Sequence, residues 1–140
     1  MPNLLKINNS GLNATLLWTN PNPNSNMTDT TIYLNAVGTE GYNYLYFLFK
    51  NSTSSSAQVL DSMFSLVDES NPYRNNISVT NSSGTSFTRY ISYKINDLTW
   101  IYVAKCYNND NGGRKDDFCI PIKIFGIKGK ISGISGGGSQ

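Results

Sequence analysis

The segment Tyr42 to Lys50 (YNYLYFLFK) restricts the fold more than any other part of this chain. In an extended backbone Leu45, Phe47 and Phe49 share one face, and Tyr42, Tyr44, Tyr46 and Leu48 share the other. Alternation with period two marks a β-strand. Apolar character on both faces marks a central strand that must be covered on each side. No other segment offers a long helix to cover it. Leu60, Met63, Phe64 and Val67 do have helical spacing. That run is short and its neighbours read as strands, so Met63 to Val67 is assigned to a strand.

Further strands follow from the same pattern. Leu12 to Trp18 is extended and runs into TNPNPNSN, where Pro21 and Pro23 exclude regular pairing. Thr28 to Val37 alternates, with Thr30, Ile32, Leu34 and Ala36 on one side. Ile77 to Thr80 forms a short strand between turn signals. Phe87 to Ile95 and Leu98 to Tyr107, joined by Asn96-Asp97, read as a hairpin. Its expected register sets Ile95 against Leu98, Tyr93 against Trp100 and Ile91 against Tyr102. The last strand, IPIKIFGIKG from Ile120 to Gly129, places Ile120, Ile122 and Ile124 on one face. These elements predict an all-β, antiparallel β-sandwich, jelly-roll-like. Residues 1–129 are expected to form one domain, and 130–140 a flexible Gly/Ser-rich tail.

Composition narrows the function classes. Charged residues are only 14% of the 140, and the formal net charge is +2. That charge is too weak to argue for nucleic acid. The densest apolar run, Tyr44 to Phe49, is too short to span a bilayer, so no membrane insertion is expected. MPNLLKINNS shows no signal peptide, which predicts synthesis in a cytoplasm and release by another route. Six Asn-x-Ser/Thr sequons reflect the abundance of those residues and are not read as glycosylation sites.

Catalysis finds little support. The chain has no His, which removes Ser–His and Cys–His nucleophile activation. The nine acids sit mostly in apparent turns, with no spacing that singles out a pair for glycoside hydrolysis. NNDNGGRKDD lacks the closing Glu of a calcium loop and reads as a solvated connection. No catalytic, metal or cofactor residues are assigned. Cys106 and Cys119 flank that loop. Pairing Leu98–Tyr107 with the last strand would set the two cysteines opposite each other, Val103 opposite Ile122 and Ile101 opposite Ile124. A disulfide there depends on how closely the Cβ atoms approach. For a protein made in a cytoplasm, two reduced thiols packed as small hydrophobes are the favoured reading. Tyr73 and Arg74 in a turn, and Tyr107 at the mouth of the polar loop, are the candidates for an exposed recognition surface.

LLWTNPNPNS (Leu16 to Ser25) and IPIKIFGIKG resemble the opening and closing motifs of small β-rich modules in phage tail, tail-fibre and related virion proteins. Such modules begin LWTNPxPxx and end IPYKIYGIKG; Phe125 stands where the family often has Tyr. TRYISYKINDLTWIYV (Thr88 to Val103) resembles the family's central hairpin. The resemblance implies β architecture and a virion location after synthesis in the bacterial host cytoplasm. The expected function is a non-enzymatic tail or fibre module that binds the host surface, glycan or protein, or neighbouring virion proteins. The alternative is a capsid decoration or head-fibre protein docked on the shell. A homo-oligomer is expected, with a trimer suggested by analogy with virion fibres.

Overall fold

The computed structural model describes residues 13–34, 42–66, 73–94 and 97–129. These residues contain no helix. They form β1 (Asn13–Thr19), β2 (Thr30–Tyr33), β3 (Tyr44–Ser52), β4 (Val59–Ser65), β5 (Tyr73–Thr80), β6 (Ser86–Lys94), β7 (Asp97–Asn108) and β8 (Phe118–Lys128). Two antiparallel four-stranded sheets pack face to face, in the orders β1-β8-β3-β4 and β2-β7-β6-β5. β1 neighbours β8 in the first sheet, and β2 neighbours β7 in the second. A β3–β4 hairpin and a β5–β6–β7 meander complete them.

The core follows the alternation. Leu45, Phe47 and Phe49 of β3 point between the sheets, with Ile77 and Val79 of β5, Phe87, Ile91 and Tyr93 of β6, and Ile101 and Val103 of β7. β3 is central, between β8 and β4, as its two apolar faces require. Its second face carries a separate cluster of Tyr46, Leu48 and Ile127, flanked by Tyr44, Met63, Ile122 and Phe125. Burying each large apolar side chain contributes about 1.5–3 kcal/mol.

The segments that carry the family resemblance are hydrogen-bonded neighbours. Leu16 pairs with Phe125, and Trp18 with Ile124. The Asn20 amide nitrogen donates to the Pro121 carbonyl at 2.8 Å, and its backbone N–H to the Ile122 carbonyl at 2.7 Å. Gly126 lies under the Tyr42 ring, where a Cβ would come within 2.7 Å of Tyr42 Cε1. Gly129 ends the strand at φ +107°, which favours glycine.

Several sequence expectations are corrected. β7 and β8 do not pair, because they belong to opposite sheets. The chain crosses between sheets through the loop that reads as a hairpin connection. Val103 therefore faces Thr30 and Ile91 within its sheet, and Ile124 faces Trp18 and Phe47. The β6–β7 hairpin is real, but Tyr93 pairs with Ile101 and Ile91 with Val103. An irregularity between Tyr93 and Lys94 displaces the expected register by one residue. The slip keeps inward residues opposite inward residues. A second irregularity, where Leu48 pairs with Lys123 and Phe49 with Pro121, interrupts the alternation of β8. Ile120 and Ile124 thus stay in the core, while Ile122 joins the outer cluster. The strand expected over Met63 to Val67 runs over Val59–Ser65 instead. Asn96 and the 130–140 tail lie outside the described residues.

Candidate functional site

Two arrangements of side chains stand out, one inside the sandwich and one on its surface. The inner one is built on Arg89. Phe87, Arg89, Ile91 and Tyr93 share the inward parity of β6, so the pattern drives a guanidinium into the core. Arg89 is fully buried. Its Nε donates to the Cys119 carbonyl at 2.8 Å, and Nη1 to those of Met27 at 2.7 Å and Ala104 at 2.8 Å. Nη2 donates to the carbonyls of Asp116 at 3.1 Å and Phe118 at 2.9 Å. These bonds use all the N–H donors that a guanidinium has.

Irregular backbone makes this convergence geometrically feasible. Successive carbonyls of a regular strand point in opposite directions. Cys119 takes φ +54°, in the left-handed region, and there the carbonyls of Phe118 and Cys119 both meet the guanidinium. A register shift between Arg89 and Ile91, opposite β7, accompanies the contact with Ala104. Burial pushes the Arg89 pKa down, opposed by the charge of Cys106, Cys119 and Asp116. Asp116 accepts from Arg114 Nε at 2.5 Å, while its Oδ1 is buried without a hydrogen-bond partner.

The two cysteines border this guanidinium. Cys106 pairs with Arg89 in the β6–β7 ladder, and Cys119 lies at the start of β8. Both are buried and free. Each thiol perturbs the other: Cys119 lowers the Cys106 pKa, and Cys106 raises that of Cys119. Burial opposes ionisation of both, while the Arg89 charge favours it. The cysteines do come together, but across the sandwich and not across a hairpin. Their side chains meet because both face the core from opposite sheets.

The outer arrangement covers the second sheet. Tyr33 of β2, Trp100, Tyr102 and Tyr107 of β7, and Tyr90 of β6 alternate with the inward residues Ile32, Ile101, Val103, Cys106 and Ile91. Tyr33 is 74% exposed, Tyr90 38% and Tyr107 37%; Trp100 and Tyr102 are half-buried. Tyr33 pairs with Trp100, Thr31 with Tyr102, and Tyr102 with Ser92. Tyr90 stands opposite Asn76, and Thr88 lies between Tyr107 and Ser78. Hydroxyl and amide groups therefore interleave with the rings. Asp29 and Lys105 form an ion pair of 3.3 Å at one edge. A hydrogen bond to Asp29 raises the Tyr102 pKa. A groove of about 300 Å³ opens beside Tyr33, lined also by Leu16, Leu17, Trp18 and Thr19.

Of the recognition candidates drawn from the sequence, Tyr107 is exposed and belongs to this face. Tyr73 and Arg74 are not in a turn. Their backbone opens β5, paired with Tyr93 and Ser92, and their side chains lie outside the described set. Tyr33, Tyr90, Trp100 and Tyr102 went unrecognised as a surface group because their strand alternation also fits core packing. Arg89 was likewise missed, although its parity with Phe87 and Ile91 was the available signal. Among the described acids, Asp61 accepts from the Tyr46 hydroxyl at 2.7 Å, and Asp117 lies 3.7 Å from Lys115. Comparison with known protein families, with characterised proteins and with solved structures returned no match for this chain.

Proposed function

We propose that this chain is a non-enzymatic binding module of a phage virion, and that the outer face of its second sheet takes host-surface glycan. The observation that carries the binding reading is the cluster of Tyr33, Trp100, Tyr102, Tyr90 and Tyr107 among Thr31, Thr88, Ser92, Asn76 and Ser78. Flat rings supply area for the C–H faces of sugar rings at small entropy cost, and hydroxyl and amide groups match sugar hydroxyls. The described charges at its edge, Asp29 and Lys105, offset each other in an ion pair, which suits a neutral polysaccharide better than an anionic one. The groove beside Tyr33 gives an extended ligand room to continue. The virion location rests on the resemblance at Leu16 to Ser25 and Ile120 to Gly129. Assembly as a homo-oligomer, with a trimer as the working expectation, would multiply weak single-site affinity.

Binding of purified protein to host-envelope polysaccharide, followed by calorimetry, tests the reading. Tyr33→Ala and Trp100→Ala should each weaken binding about tenfold. Tyr33→Ala should leave stability within about 0.5 kcal/mol, because the ring is mostly exposed. Tight binding to empty capsids with none to polysaccharide would instead support the decoration role.

A further inference from the structure

We propose that Cys106 and Cys119 form a peroxide-responsive dithiol that closes a disulfide between the two sheets, with Cys106 as attacking thiolate and Cys119 as resolving thiol. The geometry assigns the roles. Cys106 lies opposite Arg89 in the β6–β7 ladder. The guanidinium spends every donor on carbonyls, so its charge stays fixed in the core without a carboxylate among its hydrogen-bond partners. A fixed buried cation favours a thiolate beside it. Cys119 Sγ is 3.5 Å from the Phe87 carbonyl, to which its S–H donates while both thiols are protonated. The Cys119 thiol also lowers the Cys106 pKa, the direction expected when an S–H turns from that carbonyl to a neighbouring thiolate.

The Cys106 thiolate attacks one oxygen of hydrogen peroxide. The O–O bond breaks, the sulfur becomes a sulfenic acid, and the departing hydroxide takes up the proton released by Cys106 to give water. The Cys119 sulfur then attacks the Cys106 sulfur and the S–O bond breaks. The hydroxyl group leaves with the Cys119 proton as a second water. Two thiols and one peroxide thus yield one disulfide and two waters, with sulfur oxidised and peroxide oxygen reduced. Both cysteines are fully buried, so the oxidant must be small. Hydrogen peroxide is close to water in size. The 109–117 loop that joins the two cysteine strands is tied to β7 by the Lys115 N–H, which donates to the Cys106 carbonyl at 2.8 Å.

Folded protein is exposed to hydrogen peroxide, quenched with catalase, denatured, alkylated and peptide-mapped. The expected result is loss of both free thiols, with one peptide pair linked through Cys106 and Cys119. Cys119→Ser should leave a sulfenic acid at Cys106 that dimedone traps. Cys106→Ser should slow loss of the Cys119 thiol about tenfold. Two alkylatable thiols surviving in the wild-type protein would overturn the proposal, as would equal rates of thiol loss in the two variants. If a Ser variant does not fold, the linked peptide in the wild-type protein decides the matter.

Discussion

The two ends of the core are held by different physics. At one end Phe47, Phe64 and Tyr93 pack ring on ring, with centroids 4.8 Å apart for the first pair and 6.0 Å for the second. The Tyr93 hydroxyl reaches outward to accept from the Asn75 amide at 2.9 Å. At the other end Arg89 gathers the carbonyls of Met27, Ala104, Asp116, Phe118 and Cys119. The apolar end lies between strands whose backbone groups are paired in ladders, apart from the irregularity between Tyr93 and Lys94. The polar end lies where the chain leaves β7, passes through a loop and enters β8. Backbone there has carbonyls without ladder partners, and a buried carbonyl must find a donor. Arg89 serves as the missing partner for several segments at once. Packing is non-directional and forgiving of shape, whereas this hydrogen-bonded hub needs a particular side chain.

That contrast can be broken by substitution. Arg89→Met should have the largest effect, about 4 kcal/mol, because it leaves buried carbonyls without donors. Arg89→Lys should recover little, since an ammonium has fewer donors and no planar fork. Urea unfolding of both variants measures this. At the apolar end Phe64→Leu should cost only about 1 kcal/mol, as cores tolerate hydrophobic swaps of similar size. Equal losses at the two ends would abolish the distinction. A smaller effect sharpens it on the outer face of the first sheet. Burial, and then the hydrogen bond to Asp61, push the Tyr46 pKa well above its ordinary value. The Tyr46 contribution is therefore fully present below the unfolded-state pKa of about 10 and is lost as pH rises beyond it. Tyr46→Phe should cost about 1 kcal/mol at neutral pH. The gap between variant and wild type should shrink when unfolding is followed above about pH 10.

Legibility in the sequence divides along the same line. The centrality of β3 was readable because Tyr44–Phe49 is apolar on both faces. The β6–β7 hairpin was readable from two alternating runs around Asn96-Asp97. Its register was not, because an irregularity beside Tyr93 leaves no compositional mark. The partner of β8 was also hidden. Two strands flanking a ten-residue polar loop look like a hairpin whether they share a sheet or cross between sheets, and Ile124 is equally apolar opposite Phe47 or Ile101. The meeting of Cys106 with Cys119 was reached through a pairing that does not exist. It holds because the crossing brings the same residues to the core from opposite sides. Recognition residues were the hardest to see. Tyr33, Tyr90 and Trp100 carry the same alternation as buried aromatics, and only the sheet's packing tells which face is covered.

The place of β8 also constrains the order of synthesis and folding. β1 and β3 are hydrogen-bonded to each other only through β8, the last strand described, whereas β5, β6 and β7 are contiguous in the chain. On the ribosome the meander can form as soon as it emerges, but β1 must wait with its edge unpaired until more than a hundred further residues have been added. From the emergence of β1 until β8 follows, nascent chains of this protein therefore present an open strand edge, the state in which pairing with a neighbouring chain competes with folding.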